Sequence, residues 1–162
     1  MKLKIAAIML ALIATTSLVC GQQSQSSQPS GNRDIVGTWQ VLRHGVNCAT
    51  GARLNPDFPT LMTFNRGGTL IGYAVAPGES PALGSPEFGN WVKQGPRTYT
   101  VRDVSYGYDE NGAFTGRAEI TFRITLDADA DSFTSNQTID VFDANGNFLF
   151  SFCGKATGKR FE

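Results

Sequence analysis

The sequence predicts an all-β fold, an eight-stranded antiparallel up-and-down barrel. Three observations carry this: strict alternation of apolar and polar residues, hairpin-length turn signals between the alternating runs, and a number of runs that suits closure. The clearest run is 114–126. Phe114, Gly116, Ala118, Ile120, Phe122, Ile124 and Leu126 share one face, and Thr115, Arg117, Glu119, Thr121, Arg123 and Thr125 share the other. A helix cannot satisfy a period of two. The charges on the second face exclude a lipid-facing wall, so the expected barrel is a soluble one.

Turn signals divide the rest. They fall at Asn65-Arg66-Gly67-Gly68, Gln94-Gly95-Pro96, Asp109-Glu110-Asn111-Gly112, Asp127 to Asp131, and Asp143-Ala144-Asn145-Gly146. Two longer links span 50–59 and 76–86, the second with three prolines. Strands are therefore expected at 35–49, 60–65, 68–75, 87–94, 97–108, 114–127, 131–142 and 147–157. Short links favour a meander over a β-sandwich, whose crossovers need long connections. In a meander alternate links share an end. Both long links then fall at one mouth, and the termini and short links at the other.

The chain has 162 residues, enough for one domain with a core. Met1-Lys2-Leu3-Lys4 followed by an apolar run to Val19 reads as a secretory signal peptide, too short for a membrane span. Cleavage after Gly21 is one expectation. The other is a bacterial lipoprotein signal, because Leu18-Val19-Cys20-Gly21 resembles a lipobox with Cys20 as the lipidated residue. The expected layout is a signal peptide over 1–21, a flexible polar linker over 22–34 and a barrel domain over 35–162. Without Lys2 and Lys4, 12 of the 14 basic residues remain against 14 acidic ones. That near-neutral balance gives no reason to expect a nucleic-acid partner. It leaves a lipid at Cys20 as the only expected tie to a membrane. The expected location is the periplasm or the cell surface.

Cys48 and Cys153 remain as an even pair in an exported domain, which predicts one disulfide. Their parity tests closure. If Trp39 and Val41 point inward, Cys48 points outward. If Phe148, Phe150 and Phe152 point inward, Cys153 points outward as well. The first and last strands become neighbours only in a closed barrel, so an outer-face bridge would bind the seam. No metal site or cofactor is expected, since His44 is the only histidine and two cysteines cannot close a zinc site alone. Asp127-Ala128-Asp129-Ala130-Asp131 imitates the start of a calcium loop, but Ser132 and Thr138 stand where Gly and Glu are required.

Gly37-Thr38-Trp39 opens the first strand, and Gly89-Asn90-Trp91 repeats its pattern in the fourth. Here the chain resembles the calycins, the lipocalin and avidin group, whose first strand carries Gly-x-Trp. The resemblance implies a lipocalin-like barrel in which Trp39 plugs the bare end and Arg160 packs over it. The chain carries no second lipocalin motif of the Thr-Asp-Tyr kind, and Val41 stands where the avidin group has its ligand-binding Asn.

The function expected from these features is binding of a small, mainly apolar ligand. The alternatives are an envelope interaction or structural barrel with a filled core and, third, a barrel isomerase or cyclase. The site is expected at the long-loop mouth, lined by Arg43, Asn47, Gly116, Ala118 and Gln137, with Arg43 meeting an acceptor group on the ligand. The small residues Gly116 and Ala118 leave room there, whereas Phe148, Phe150 and Phe152 could fill it. No catalytic residue is assigned. Arg102-Asp103 interrupts the apparent alternation of the fifth strand; Asp103 could act there as a carboxylate with Arg102, but the pair is read as a β-bulge with one residue turned out.

Overall fold

The computed structural model describes residues 34–161. The leader, Cys20 and the polar linker up to residue 33 lie outside the described residues. The rest is a closed antiparallel barrel in which every strand pairs with its sequence neighbours. The strands are β1 (Gly37–Val46), β2 (Phe58–Phe64), β3 (Thr69–Ala74), β4 (Glu87–Lys93), β5 (Thr98–Tyr108), β6 (Phe114–Leu126), β7 (Ser132–Asp143) and β8 (Phe148–Arg160). The longest helical piece among the described residues is one 3-10 turn, Pro81–Leu83. No described helix is long and apolar enough to cross a membrane.

Closure runs through β1 and β8, in register from Trp39 opposite Arg160 to Val46 opposite Cys153. The Cys48–Cys153 disulfide ties this seam on the outer face, with Cα atoms 5.1 Å apart. It joins residues 105 apart in sequence, so it constrains most of the domain.

Two strand ends differ from expectation by three residues, and the others by two or fewer. β1 stops at Val46 rather than 49, because the Asn47 carboxamide accepts from the backbone N–H of Ala49 and Thr50 and turns the chain. β8 continues to Arg160 rather than 157, because β1 offers partners that far. The expected bulge at Arg102-Asp103 is absent. Pairing of β5 with β6 is regular there and shifts only between Gly107 and Tyr108.

The base of the barrel is apolar. Trp39, Val41, Met62, Phe64, Leu70, Val101, Phe122, Ile124, Leu126 and Phe133 are buried, as inward parity requires. Trp39 donates its indole N–H to the Ile35 carbonyl at 2.8 Å and packs against Phe133 with centroids 5.0 Å apart. The Arg160 guanidinium lies 4.3 Å from the Trp39 ring centre and donates to the carbonyls of Asp34, Val36 and Ala130. Gly37 has φ 130°, and a Cβ there would approach Arg160 Nη1 to 2.8 Å, so this position needs glycine.

Arg160 thus closes the bare end with a cation over an indole and a fan of hydrogen bonds. Arg160→Ala is expected to lower the urea-unfolding free energy by about 2 kcal/mol. Arg160→Lys should recover little of it, since an ammonium cannot reproduce the planar fork. A loss below about 0.5 kcal/mol in the alanine variant would show that this contact adds nothing.

Candidate ligand cavity

The mouth of the barrel holds a cavity of about 590 Å³, bounded by the 75–86 link and the upper ends of β5 to β8. Ala118 from β6, Ile139 and Val141 from β7, and Phe150 and Phe152 from β8 form apolar wall. Glu87 at the start of β4 and Ser105 on β5 supply polar lining. An open groove also runs outside β1 to β3, past Leu42, Leu61 and Tyr73, but those positions are exposed outer wall.

Between the cavity and the apolar base lies a polar layer. Arg43, Thr60, Glu87, Asp103, Ser135 and Gln137 are all buried. The Arg43 guanidinium meets the Glu87 carboxylate in a two-point pair, Nη1 to Oε1 and Nη2 to Oε2, both 2.7 Å. Its Nη2 also contacts Met62 Sδ at 3.3 Å, and its Cζ lies 4.9 Å from the Phe122 ring centre. Such a fork matches a carboxylate well, and burial makes the pair depend on both partners.

Asp103 is 5% exposed, and neither of its carboxyl oxygens has a hydrogen-bond partner. Burial pushes its pKa up, the neighbouring Glu87 carboxylate pushes it further, and Arg43 draws it partly back, to about 8. The group therefore carries a proton at neutral pH, as both donor and acceptor. Arg43 Nε, Thr60 Oγ1, Tyr99 OH and Gln137 Nε2 are likewise buried without partners. Buried polar atoms ordinarily find partners, so this layer has unused hydrogen-bonding capacity. Glycines make room for it. A Cβ on Gly72 would come 2.6 Å from Glu87 Oε2, and one on Gly89 would come 2.5 Å from Asp103 Cβ.

The residues expected at the site divide. Gly116 and Ala118 line the cavity. Arg43 is inside the barrel, but both terminal nitrogens are taken by Glu87, only its Nε is left without a partner, and it does not border the cavity. Gln137 is buried in the polar layer and does not border the cavity. Asn47 is exposed and spends its side chain on the turn after β1, which corrects its placement in the pocket.

The 50–59 segment does not wall the mouth either. Beyond Arg43 opposite Phe58, β1 has no β2 partner. The link folds back to supply one: Leu54 N–H donates to Gly45 O, Asn55 Oδ1 accepts from Gly45 N–H, and Val46 bridges Arg53. His44 faces outward onto Asp57 at 2.9 Å beside Arg53. The acidic 127–131 segment is a tight turn in which Ser132 donates to Asp127 and Asp131 N–H to Asp129.

Phe148, Phe150 and Phe152 remain 58%, 53% and 37% exposed, so they do not fill the upper barrel. A bulge at Leu149 shifts the pairing of β8 with β7 between Val141 and Phe142, so Phe148 sits against Phe142 while Leu149, Phe150 and Phe152 border the cavity.

The sequence reading passes over Glu87 and reads Asp103 as a bulge residue, although both positions carry a signal. Glu87 lies two residues before Gly89 and four before Trp91, on the inward face of β4. Asp103 follows Tyr99 and Val101 at intervals of two, which places it inward, while Arg102 is exposed. In comparisons with known proteins, the chain matches no protein-family model and no curated protein.

Proposed function

We propose that this protein is an exported binding barrel that holds a small, mainly apolar ligand in its mouth cavity. The observation that carries this is an open cavity with apolar walls standing on a buried polar layer whose atoms lack partners. The apolar walls would take the body of the ligand and the polar lining its head. The exposed positions of the β8 phenylalanines weigh against a filled interaction barrel. Export is supported by the basic-apolar start of the sequence and by the disulfide, which is compatible with an oxidising compartment.

The test is a neutral apolar dye, N-phenyl-1-naphthylamine, titrated into the protein. Saturable one-site binding with a blue-shifted emission is expected. Ala118→Phe should weaken it at least about tenfold by filling the cavity wall. Leu61→Ser on the outer face should leave it unchanged. Equal dye binding by wild type and Ala118→Phe would place the dye elsewhere and end the cavity reading.

Asp103 favours a second reading, the barrel isomerase or cyclase, because a proton held to about pH 8 beneath a cavity suits a general acid. In that case Asp103→Asn would retain ligand and lose turnover.

A further inference from the structure

We propose that the ligand of this cavity is a protonated amine with an apolar body, its ammonium seated over Glu87 and Asp103. The inference rests on the cavity-binding reading and assigns the charge of the ligand. It begins with what the floor can offer. Arg43, the one buried cation among the described residues, spends both terminal nitrogens on Glu87 and keeps only its buried Nε unpartnered. A ligand carboxylate would have to displace Glu87 from that fork and would then face two carboxyl groups. An ammonium has no such conflict. Each oxygen of Glu87 keeps lone-pair capacity beyond the Arg43 fork, and Asp103 has both oxygens unpartnered.

The position of Asp103 fits this role. It lies in the layer beneath the cavity, one inward step below Ser105 on β5 and beside Glu87, both of which border the cavity. The charged groups facing it are Glu87 from β4 and Arg43 from β1, and these two neutralise each other. The inward residues of β6 around it, Ala118, Ile120 and Phe122, carry no charge. An incoming cation would therefore meet a neutral pair and one carboxyl group able to ionise. The group releases its proton more readily beside a positive charge.

The mouth provides an independent observation of the same sign. The links and strand ends around the cavity carry Glu79, Asp109, Glu110 and Asp143. Arg117 in the cavity lining is paired with Glu119 at 2.7 Å, and its guanidinium carbon lies 4.3 Å from the Phe142 ring centre. Backbone N–H groups hold the Asp109 and Asp143 carboxyls below their ordinary pKa, so both stay charged at neutral pH. These surface charges are screened over about 10 Å in physiological salt, yet they bias the encounter toward cations. Phe150 and Phe152 in the wall present aromatic surface to the ligand body.

The experiment uses one skeleton with three heads: 4-phenylbutylamine, 4-phenylbutanol and 4-phenylbutyrate, each titrated calorimetrically into the protein. The amine is expected to bind at least about tenfold tighter than the other two. Its affinity should rise between about pH 6 and about pH 8.5, as Asp103 ionises while the amine stays protonated. In Asp103→Asn both the advantage and the pH dependence should disappear, while 4-phenylbutanol binding persists.

Binding of the alcohol or the butyrate as tightly as the amine would overturn the charge assignment and leave the cavity reading standing. An amine advantage unchanged in Asp103→Asn would overturn the seat at Asp103. No heat from any of the three at millimolar concentration would overturn both the proposal and the cavity reading.

Discussion

Arg43→Met is expected to lower the free energy of unfolding by about 3–5 kcal/mol, because it leaves the buried Glu87 carboxylate without its cation. Both partners are almost wholly buried, and the two-point geometry satisfies the fork and the carboxylate together. Adding Glu87→Leu to Arg43→Met should restore most of the loss. Apolar residues of similar volume remove both desolvation penalties at once and extend the apolar core upward from Met62 and Phe122. Urea unfolding of wild type, the single variant and the double variant measures this. A single-variant loss under about 1 kcal/mol would mean that water reaches the pair. A double variant as unstable as the single one would mean that the pair itself holds the barrel in register. If the double variant folds and yet fails to bind the amine, the pair is retained for the site rather than for stability.

The second large effect is a fall in stability as pH rises, centred on Asp103. Its pKa is about 8 in the folded chain against an ordinary 3.8. Between those values the folded protein binds a proton that the unfolded chain does not, so stability decreases with pH. The contribution is fully present below about pH 4 and is lost as pH rises through about 8. The limiting slope is about 1.4 kcal/mol per pH unit for one proton. Asp103→Asn replaces the protonated carboxyl with a neutral group of the same shape. It should match wild type below about pH 4 and exceed it by several kcal/mol, in order of magnitude, at pH 8. Exposed carboxylates titrate alike in both proteins, so the difference isolates this one group. Parallel stability curves for the two proteins would show that Asp103 titrates normally and that the polar layer is hydrated.

Much of the architecture was legible because period-two patterns and turns are local. Phe114 to Leu126 announced β6 with its inward face, and the Asn-Gly pairs at Asn111-Gly112 and Asn145-Gly146 marked two of the hairpins. Parity carried that reading across the molecule. Trp39 inward implied Arg43 inward and Cys48 outward, and the Cys48–Cys153 bridge lies on the outer face of the seam. At Arg102-Asp103 the same parity places Asp103 inward, and a charge on the inward face imitates a bulge. Regular pairing with Glu87 and Gly89 nearby is what accommodates it. A buried acid looks like a broken pattern when the room for it is made by a glycine on another strand.

By itself the sequence determined the strand number, the meander, the sorting of links between two ends and the pairing of the two cysteines. Each follows from alternation, turn chemistry and chain continuity. Only the tertiary structure decided that Arg43 meets Glu87, that Asp103 sits unpartnered beside them, and that the phenylalanines of β8 rim the mouth instead of filling it. Those outcomes depend on strand tilt and stagger, which set the height at which residues face each other across a barrel. Parity says which side of the wall a residue occupies. The stagger of eight strands decides which inward residue it touches, and that contact sets the charge and proton of the site.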